Sequence, residues 1–276
     1  MKEIAYYNDA FVTIDQNVVP IQERGHQFGD GVYEVVRVYG GKAFLLEEHL
    51  DRLEKSAEAI DLKMPYIREK LKKILLEALD RSEIKDAEIY FQITRGISPR
   101  QHHYPDCDSV LSLTVRNARK FDSKQREEGV PVFIKEDDRW LNCYIKSLNL
   151  LPNVMAKQKA IEKGCGEAVY QRDGVVTECS SSNVFVVKDG VLYTHPATRS
   201  ILHGITRASV IELASQRDIT VKEEKFNVDF LYDADEAFFT STSVEIMPIN
   251  AVDETKLPNE RPITKLLSDA YKKLYI

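Results

Sequence analysis

Apolar residues along this chain recur at two spacings, every second position and every third or fourth, and the two alternate from the start. "GVYEVVRVYG", Gly31 to Gly40, is rich in Val and Tyr and ends at Gly40-Gly41, which predicts a strand turning into "KAFLL". Two helical stretches follow. In the first, Glu47 to Ile60, the residues Leu46, Leu50, Leu53, Ala57 and Ile60 share one face. The second is expected to begin with Pro65 near its first turn and to carry Ile67, Leu71, Ile74, Leu75 and Ala78 on its apolar face. "AEIYFQITRG" and "SVLSLTV" predict two more strands, flanking the loop "ISPRQHHYPDCD".

Residues 1–118 are therefore expected to form an N-terminal α/β unit. "NARKFDSKQREEGVP", Asn117 to Pro131, is polar and charged and ends in Gly and Pro, so 119–130 is expected to be an interdomain connection and 131–276 a C-terminal domain. In that second part "EAVYQRDGVVTE" and "NVFVVKDGVLYTH" each turn on Asp-Gly, the strongest short hairpin signal. Helices at "HGITRASVIELASQR" and "PITKLLSDAYKKL" bracket another pair of strands. No internal repeat or low-complexity tract interrupts the pattern.

Composition narrows the class. With 276 residues, 43% hydrophobic and 30% charged, the chain is long enough for a large core and too apolar to be mainly disordered. A formal charge of -6, with both signs interspersed, argues against a nucleic-acid partner. No apolar run reaches membrane-spanning length, so no membrane partner is expected and a cytoplasmic location is the default. Cys107, Cys143, Cys165 and Cys179 are too far apart for C-x-x-C pairs and read as reduced, mostly structural thiols. His102 and His103 lack a partner at ligand spacing, so no metal is expected.

Several places offer chemistry. In "CYIKSLNLL" the cation Lys146 stands among apolar residues, either on the polar side of an edge strand or kept inside for its amine. Glu178 ends a strand and leads into three serines. "HGITR" opens a helix with Thr206 in its first turn, and "TSTS", Thr240 to Ser243, follows an apolar strand; both are either anion cradles or plain cap and turn residues. Arg52 lies on a helix face. Tyr33 and Glu34 alternate on one strand, so only one faces the core. Arg100, His102 and His103 share a loop that is either an anion-recognition element or polar surface.

The segments "RGHQFGDGVYEVVRVY", "EEHLDRL", "TRGISPRQHHYP", "CYIKSLNLLPNVMAKQKA", "TECSSSNVF", "LHGITR" and "TSTSVEI" occur in the order and approximate spacing of the fold-type IV pyridoxal-phosphate enzymes. Over nearly the whole chain, Tyr6 to Ile249, the sequence most resembles the bacterial D-amino acid aminotransferases among them. The resemblance implies a two-domain α/β (α+β) fold, a smaller N-terminal α/β domain and a larger cofactor-binding domain of barrel-like β-sheets flanked by helices. It implies pyridoxal 5'-phosphate as cofactor, Lys146 as the Schiff-base lysine and Glu178 as the acid paired with the pyridine nitrogen. Arg52, Ile205, Thr206, Ser241 and Thr242 match phosphate-binding positions, Ser181 and Ser182 match further cofactor positions, and Leu202 falls where an aliphatic side chain packs on the ring. Tyr33, Arg100 and His102 match the substrate carboxylate trap, the last two across the interface of a homodimer. Where the family often has glycine, Cys179 follows Glu178; an extended backbone tolerates it and a positive φ does not.

The expected reaction is ping-pong transamination between a D-amino acid, D-alanine in type, and a 2-oxo acid such as 2-oxoglutarate or pyruvate. A branched-chain L-amino acid aminotransferase and an aminodeoxychorismate lyase share the fold and would keep Lys146, Glu178 and Arg52. A non-catalytic protein that carries pyridoxal phosphate is the alternative of a different class.

Overall fold

The computed structural model describes residues 2–276, arranged as two compact units. One comprises the chain through Arg119 together with Ile145–Asn149; the other comprises Lys120–Tyr144 and Leu150–Ile276. The short segment carrying Lys146 thus belongs to the first unit, whereas the sequence-based division puts it inside 131–276. Its backbone hydrogen bonds to a strand of the first unit are the reason.

The first unit runs β1 (Ile4–Tyr7), β2 (Ala10–Val12), α1 (Arg24–Phe28), β3 (Gly31–Tyr39), β4 (Lys42–Ala43), α2 (Leu46–Glu58), α3 (Arg68–Ser82), β5 (Ala87–Thr94) and β6 (Val110–Asn117). Its strands form an antiparallel sheet in the order β2-β1-β6-β5-β3-β4. Period-2 alternation sends Val32, Val36 and Val38 of β3 and Ile89, Phe91 and Ile93 of β5 to one face, where they pack with Leu50, Leu53, Leu71 and Leu75 of the two long helices. Helix α3 starts three residues later than the sequence suggests. Tyr66 donates its hydroxyl to Asp9 at 2.7 Å, which holds the chain after Pro65 outside the helix, and Ile67 becomes an extended N-cap that is 72% exposed instead of part of the apolar face.

The second unit runs α4 (Ser123–Glu128), β7 (Val130–Glu136), α5 (Leu151–Glu162), β8 (Glu167–Arg172), β9 (Val175–Cys179), β10 (Asn183–Lys188), β11 (Val191–Thr194), α6 (Ile205–Ser215), β12 (Val221–Glu223), α7 (Val228–Tyr232), β13 (Glu236–Ser241), β14 (Glu245–Val252), β15 (Thr255–Lys256) and α8 (Pro262–Lys272). The expected connection therefore contains a helix of its own, α4, capped by the Asp122 carboxylate on the Lys124 amide at 2.9 Å. Both expected hairpins form, with φ of 53° and 80° at Asp173-Gly174 and 51° and 75° at Asp189-Gly190, as a two-residue turn of that type requires.

The mixed sheet has the order β12-β11-β10-β13-β14-β7-β8-β9, with β15 beside β14. Strand β9 is at one edge and β10 five places away, about 24 Å across a flat sheet. Three residues, Ser180 to Ser182, join them and can span only about 14 Å. The sheet must curl, and this half-barrel brings Glu178, the serines and Asn183 to one rim.

Candidate active site

In the first unit Lys146 is held by main chain. Tyr33 donates its amide to the Lys146 carbonyl at 3.0 Å, Leu148 donates to the Gly31 carbonyl at 3.0 Å, and the Lys146 amide donates to Ser56 Oγ at 3.1 Å. The segment is irregular chain laid against β3, neither an edge strand nor a core strand. Gly31 permits the approach: a Cβ there would lie 2.5 Å from the Ile93 carbonyl oxygen and 2.9 Å from Leu148 Cδ1. The Lys146 side chain is half-buried, with Nζ 4.3 Å from the centre of the Tyr33 ring.

Behind Lys146 lies a buried ionic cluster. Glu34 is fully buried and accepts from Arg52 Nε at 2.7 Å, from Arg52 Nη2 at 2.8 Å and from His49 Nδ1 at 2.7 Å, the last two on the same oxygen, Oε2. His49, Arg52 and Ser56 follow at i, i+3 and i+7 on α2, so one helix face contacts both Glu34 and the Lys146 backbone. Burial acts to raise the Glu34 carboxyl, but the charge and hydrogen bonds of Arg52, with His49, outweigh it and hold the group well below the ordinary glutamate range. Burial pushes the His49 imidazole down, against the pull of Glu34, so Nδ1–H donates from a neutral ring.

Arg100 and His102 sit exposed on the loop after β5. The Arg100 guanidinium lies 4.5 Å from the Phe28 ring centre and the His102 ring 5.6 Å from it, and among the described residues neither has a contact with Tyr33. Within one chain these parts of the expected carboxylate trap are not assembled.

In the second unit Glu178 is the penultimate residue of β9, buried, and accepts from Arg139 Nη1 at 2.6 Å, Asn183 Nδ2 at 3.0 Å and the Leu202 amide at 3.1 Å. Arg139 divides itself: Nε and Nη2 donate to Asp137 at 2.9 Å each, and the guanidinium stacks 4.3 Å from the Tyr170 ring centre. Asp137 also pairs with Arg172 at 3.2 Å. Burial pushes the Glu178 carboxyl up from its ordinary value, with Arg139 opposing. Leu202 is half-buried, and its carbonyl accepts from the same Asn183 at 2.9 Å.

Helix α6 begins at Gly204, which is extended (φ -67°, ψ 136°) and offers no side-chain cap, so the amides of Ile205 and Thr206 form an uncapped helix start. A Cβ at Gly204 would lie 2.1 Å from Asn183 Oδ1. The Thr206 hydroxyl is buried 3.5 Å from Tyr271 Oη. Thr240 pairs with Asn183 across β13 and β10, and its Oγ1 is buried with no hydrogen-bond partner among the described residues. In the turn that follows, Ser241 Oγ accepts the Val244 amide at 3.3 Å and Thr242 is half-buried.

The serines of the rim point elsewhere than their expected cofactor role suggests. Ser181 Oγ donates to the buried Glu167 at 2.8 Å, Ser182 Oγ to the same carboxylate at 3.2 Å, and Ser180 bonds it as well. Cys179 lies inside β9 without a positive φ, so replacing glycine there imposes no backbone strain. Among the described residues no helix is long and apolar enough to cross a membrane, and no group of three or more His, Cys, Asp or Glu could hold a metal ion.

Sequence reasoning missed Glu34, His49, Asn183, Arg139 and Asp137 as partners. Glu34 carried a partial signal, its alternation with Tyr33. Arg139 and Asp137 stand in the charged run "KEDDRW", which reads as solvated surface.

Residues 31–252 match the model of the class IV amino-transferase family, and the chain belongs to that family. Its relatives include a D-alanine aminotransferase of Listeria monocytogenes serotype 4b (strain F2365), 45% identical over 266 residues, 94% of this chain and 92% of that protein. A D-alanine aminotransferase of Staphylococcus epidermidis (strain RP62A) is 41% identical over 272 residues, 97% of this chain and 96% of its own length. The branched-chain amino acid aminotransferase of Escherichia coli superposes with a TM-score of 0.93 at 24% identity, covering 100% of this chain and 95% of that one, which shows the shared fold. The branched-chain aminotransferase of Thermoproteus uzoniensis, solved with norvaline, gives a TM-score of 0.91 at 29% identity, over 98% and 93% of the two chains.

Proposed function

We propose that this protein is a pyridoxal 5'-phosphate-dependent aminotransferase that moves an amino group between a D-amino acid of the D-alanine type and a 2-oxo acid of the 2-oxoglutarate or pyruvate type. The observation that carries this reading is the adjacency of Lys146 and Tyr33: a primary amine 4.3 Å from the ring of the residue proposed to hold the substrate carboxylate. The α-carbon that bears the proton is bonded directly to that carboxylate, so a carboxylate held by Tyr33 brings the α-proton toward the amine. The relatives named D-alanine aminotransferase support the D-specific form.

The donor set fits the cofactor. An uncapped helix start at Gly204, where only glycine clears Asn183, suits a phosphate, and the buried Glu178 suits the ring nitrogen. When bound, pyridoxal phosphate supplies the electron sink that acidifies the α-proton. Lys146 would hold the cofactor through its amine, and that amine would also serve as the base that takes the substrate α-proton. Glu178 keeps a proton on the ring nitrogen. The amides of Ile205 and Thr206, the Thr206 hydroxyl, Arg52, Ser241 and Thr242 bind the phosphate, Leu202 packs on the ring, and Ser181 and Ser182 contribute through their main chain while Glu167 holds their hydroxyls.

Arg100 and His102 complete the trap of a second copy, so the proposed active form is a homodimer, placed in the cytoplasm. Their exposure and their contacts with the Phe28 ring support a role in trans.

Half-reactions test the specificity. Mixing the yellow enzyme separately with D-alanine, L-valine and aminodeoxychorismate should bleach its visible absorbance with D-alanine and release pyruvate. Bleaching by L-valine but not by D-alanine overturns the reading in favour of a branched-chain enzyme, and turnover of aminodeoxychorismate alone in favour of a lyase. Lys146→Ala should abolish turnover with the fold intact by circular dichroism, and transamination at the wild-type rate would remove Lys146 from its role.

A further inference from the structure

The Glu34–His49–Arg52 cluster is costly to build. A buried carboxylate and guanidinium lose their hydration, and a well-packed apolar pair in the same place is often as stable. Glu34 is fully buried and shares the alternating core face of β3 with Val32 and Val36, where such a pair would fit the pattern. The geometry it achieves instead is orientation. Arg52 meets one carboxylate through Nε and Nη2 together, which fixes the plane of the guanidinium as well as its position. The carboxylate is fixed in turn, because Oε2 also accepts from His49 Nδ1, a second residue of the same helix.

We infer that Glu34 and His49 are positioning residues that lock the Arg52 guanidinium in one plane for the phosphate of the cofactor. The inference rests on the proposed contact between Arg52 and that phosphate. An arginine on a helix face has much rotamer freedom, and a phosphate would have to suppress that freedom on binding; Glu34 has suppressed it already. His49 contributes as a neutral donor, keeping the carboxylate from turning without adding a charge. Ser56 extends the arrangement one turn further along α2, where its hydroxyl receives the Lys146 amide, so the helix that orients Arg52 also registers the segment bearing the reactive amine.

The test compares two ligands that differ only in the phosphate. Dissociation constants of pyridoxal phosphate and of pyridoxal are measured by absorbance and fluorescence titration of protein stripped of cofactor, with far-UV circular dichroism as the check on folding. Glu34→Gln should weaken pyridoxal phosphate by about tenfold or more, the loss expected of a misdirected charge-assisted contact, and leave pyridoxal within about threefold. His49→Leu should do the same in direction, and His49→Asn, which keeps a donor near the Nδ1 position, should restore the ratio of the two constants. Where Glu34→Gln does not fold, the two His49 variants decide. If Arg52→Ala shows no phosphate-selective loss, the reading of Arg52 falls and the inference with it. If Arg52→Ala shows that loss while Glu34→Gln and His49→Leu leave the ratio unchanged, the inference alone is overturned.

Discussion

Glu34 and Glu178 are both buried against arginine, and their carboxyls are driven in opposite directions. Glu34 sits in the first unit with two bonds from Arg52 and one from His49, and lies well below the ordinary glutamate range. Glu178 sits in the second unit with one bond from Arg139 and two from amides, and lies above it. Burial pushes both upward. The difference is how the cation is shared: Arg52 turns two donors onto Glu34, whereas Arg139 gives two of its donors to Asp137 and one to Glu178. Glu178 also has the Asp137 charge beside it, which pushes the same way as burial, so the charges around a buried carboxylate tune it more than depth does. Glu178 is the one left with unmet demand for positive charge, which suits a residue proposed to face a protonated ring nitrogen.

The sharpest way to break this contrast is to remove the divided cation. Arg139→Met strands Glu178 in the interior, leaves Asp137 with Arg172 alone, and should cost about 3 to 5 kcal/mol in urea unfolding, the usual penalty for uncompensating a buried charge. Glu34→Gln leaves one hydrogen-bond acceptor but no charge, and should cost about 1.5 to 3 kcal/mol by the same measurement.

Acid should separate the two glutamates by sign. Glu34 has a folded value below its ordinary 4.5, so the unfolded chain takes up the proton first. Its contribution to stability is complete above about pH 4.5 and is lost as pH falls from there toward the folded value. Glu178 has a raised folded value, so the folded chain takes up its proton first and falling pH through that value favours the folded state. Urea midpoints followed downward from pH 6 should therefore fall more steeply for Glu178→Gln than for wild type while pH is still above about 4.5, and less steeply for Glu34→Gln than for wild type once pH is below about 4.5. Equal slopes for all three proteins would erase the distinction. The smallest effect is expected at the ring under Arg139: Tyr170→Phe loses the hydrogen bond to the Pro152 carbonyl, about 1 kcal/mol, and keeps the stacking that positions the guanidinium.

Much of the architecture is legible in the sequence because it depends on near neighbours. Helix α2 shows its apolar stripe, and both Asp-Gly turns carry the residues their φ values need. Helix α5 escapes this reading, since only Ala156 and Ala160 of its twelve residues are buried and no stripe marks it. The start of α3 escapes it too, because a tyrosine bonded to residue 9 decides where the helix begins. At the candidate site, residue types are readable and pairings are not. Glu34 and Arg52 are 18 apart and Arg139 and Glu178 are 39 apart, so their meeting depends on the packing of α2 on β3 and on the strand order β7-β8-β9. The serines after Glu178 show the same limit: a Ser-rich turn signals available hydroxyls, and a distant glutamate determines where they point.

Lys146 is suspended from β3 by main-chain hydrogen bonds, with Gly31 and Tyr33 contributing through their backbones. Inheritance can therefore treat the amine and its surroundings separately. Replacement of the Tyr33 side chain redraws what stands beside the amine while the bonds that hang the segment persist, so new substrate preferences can arise by single steps without rebuilding the reactive centre. Gly31 is the exception, and its lack of a side chain is the condition on which that freedom depends.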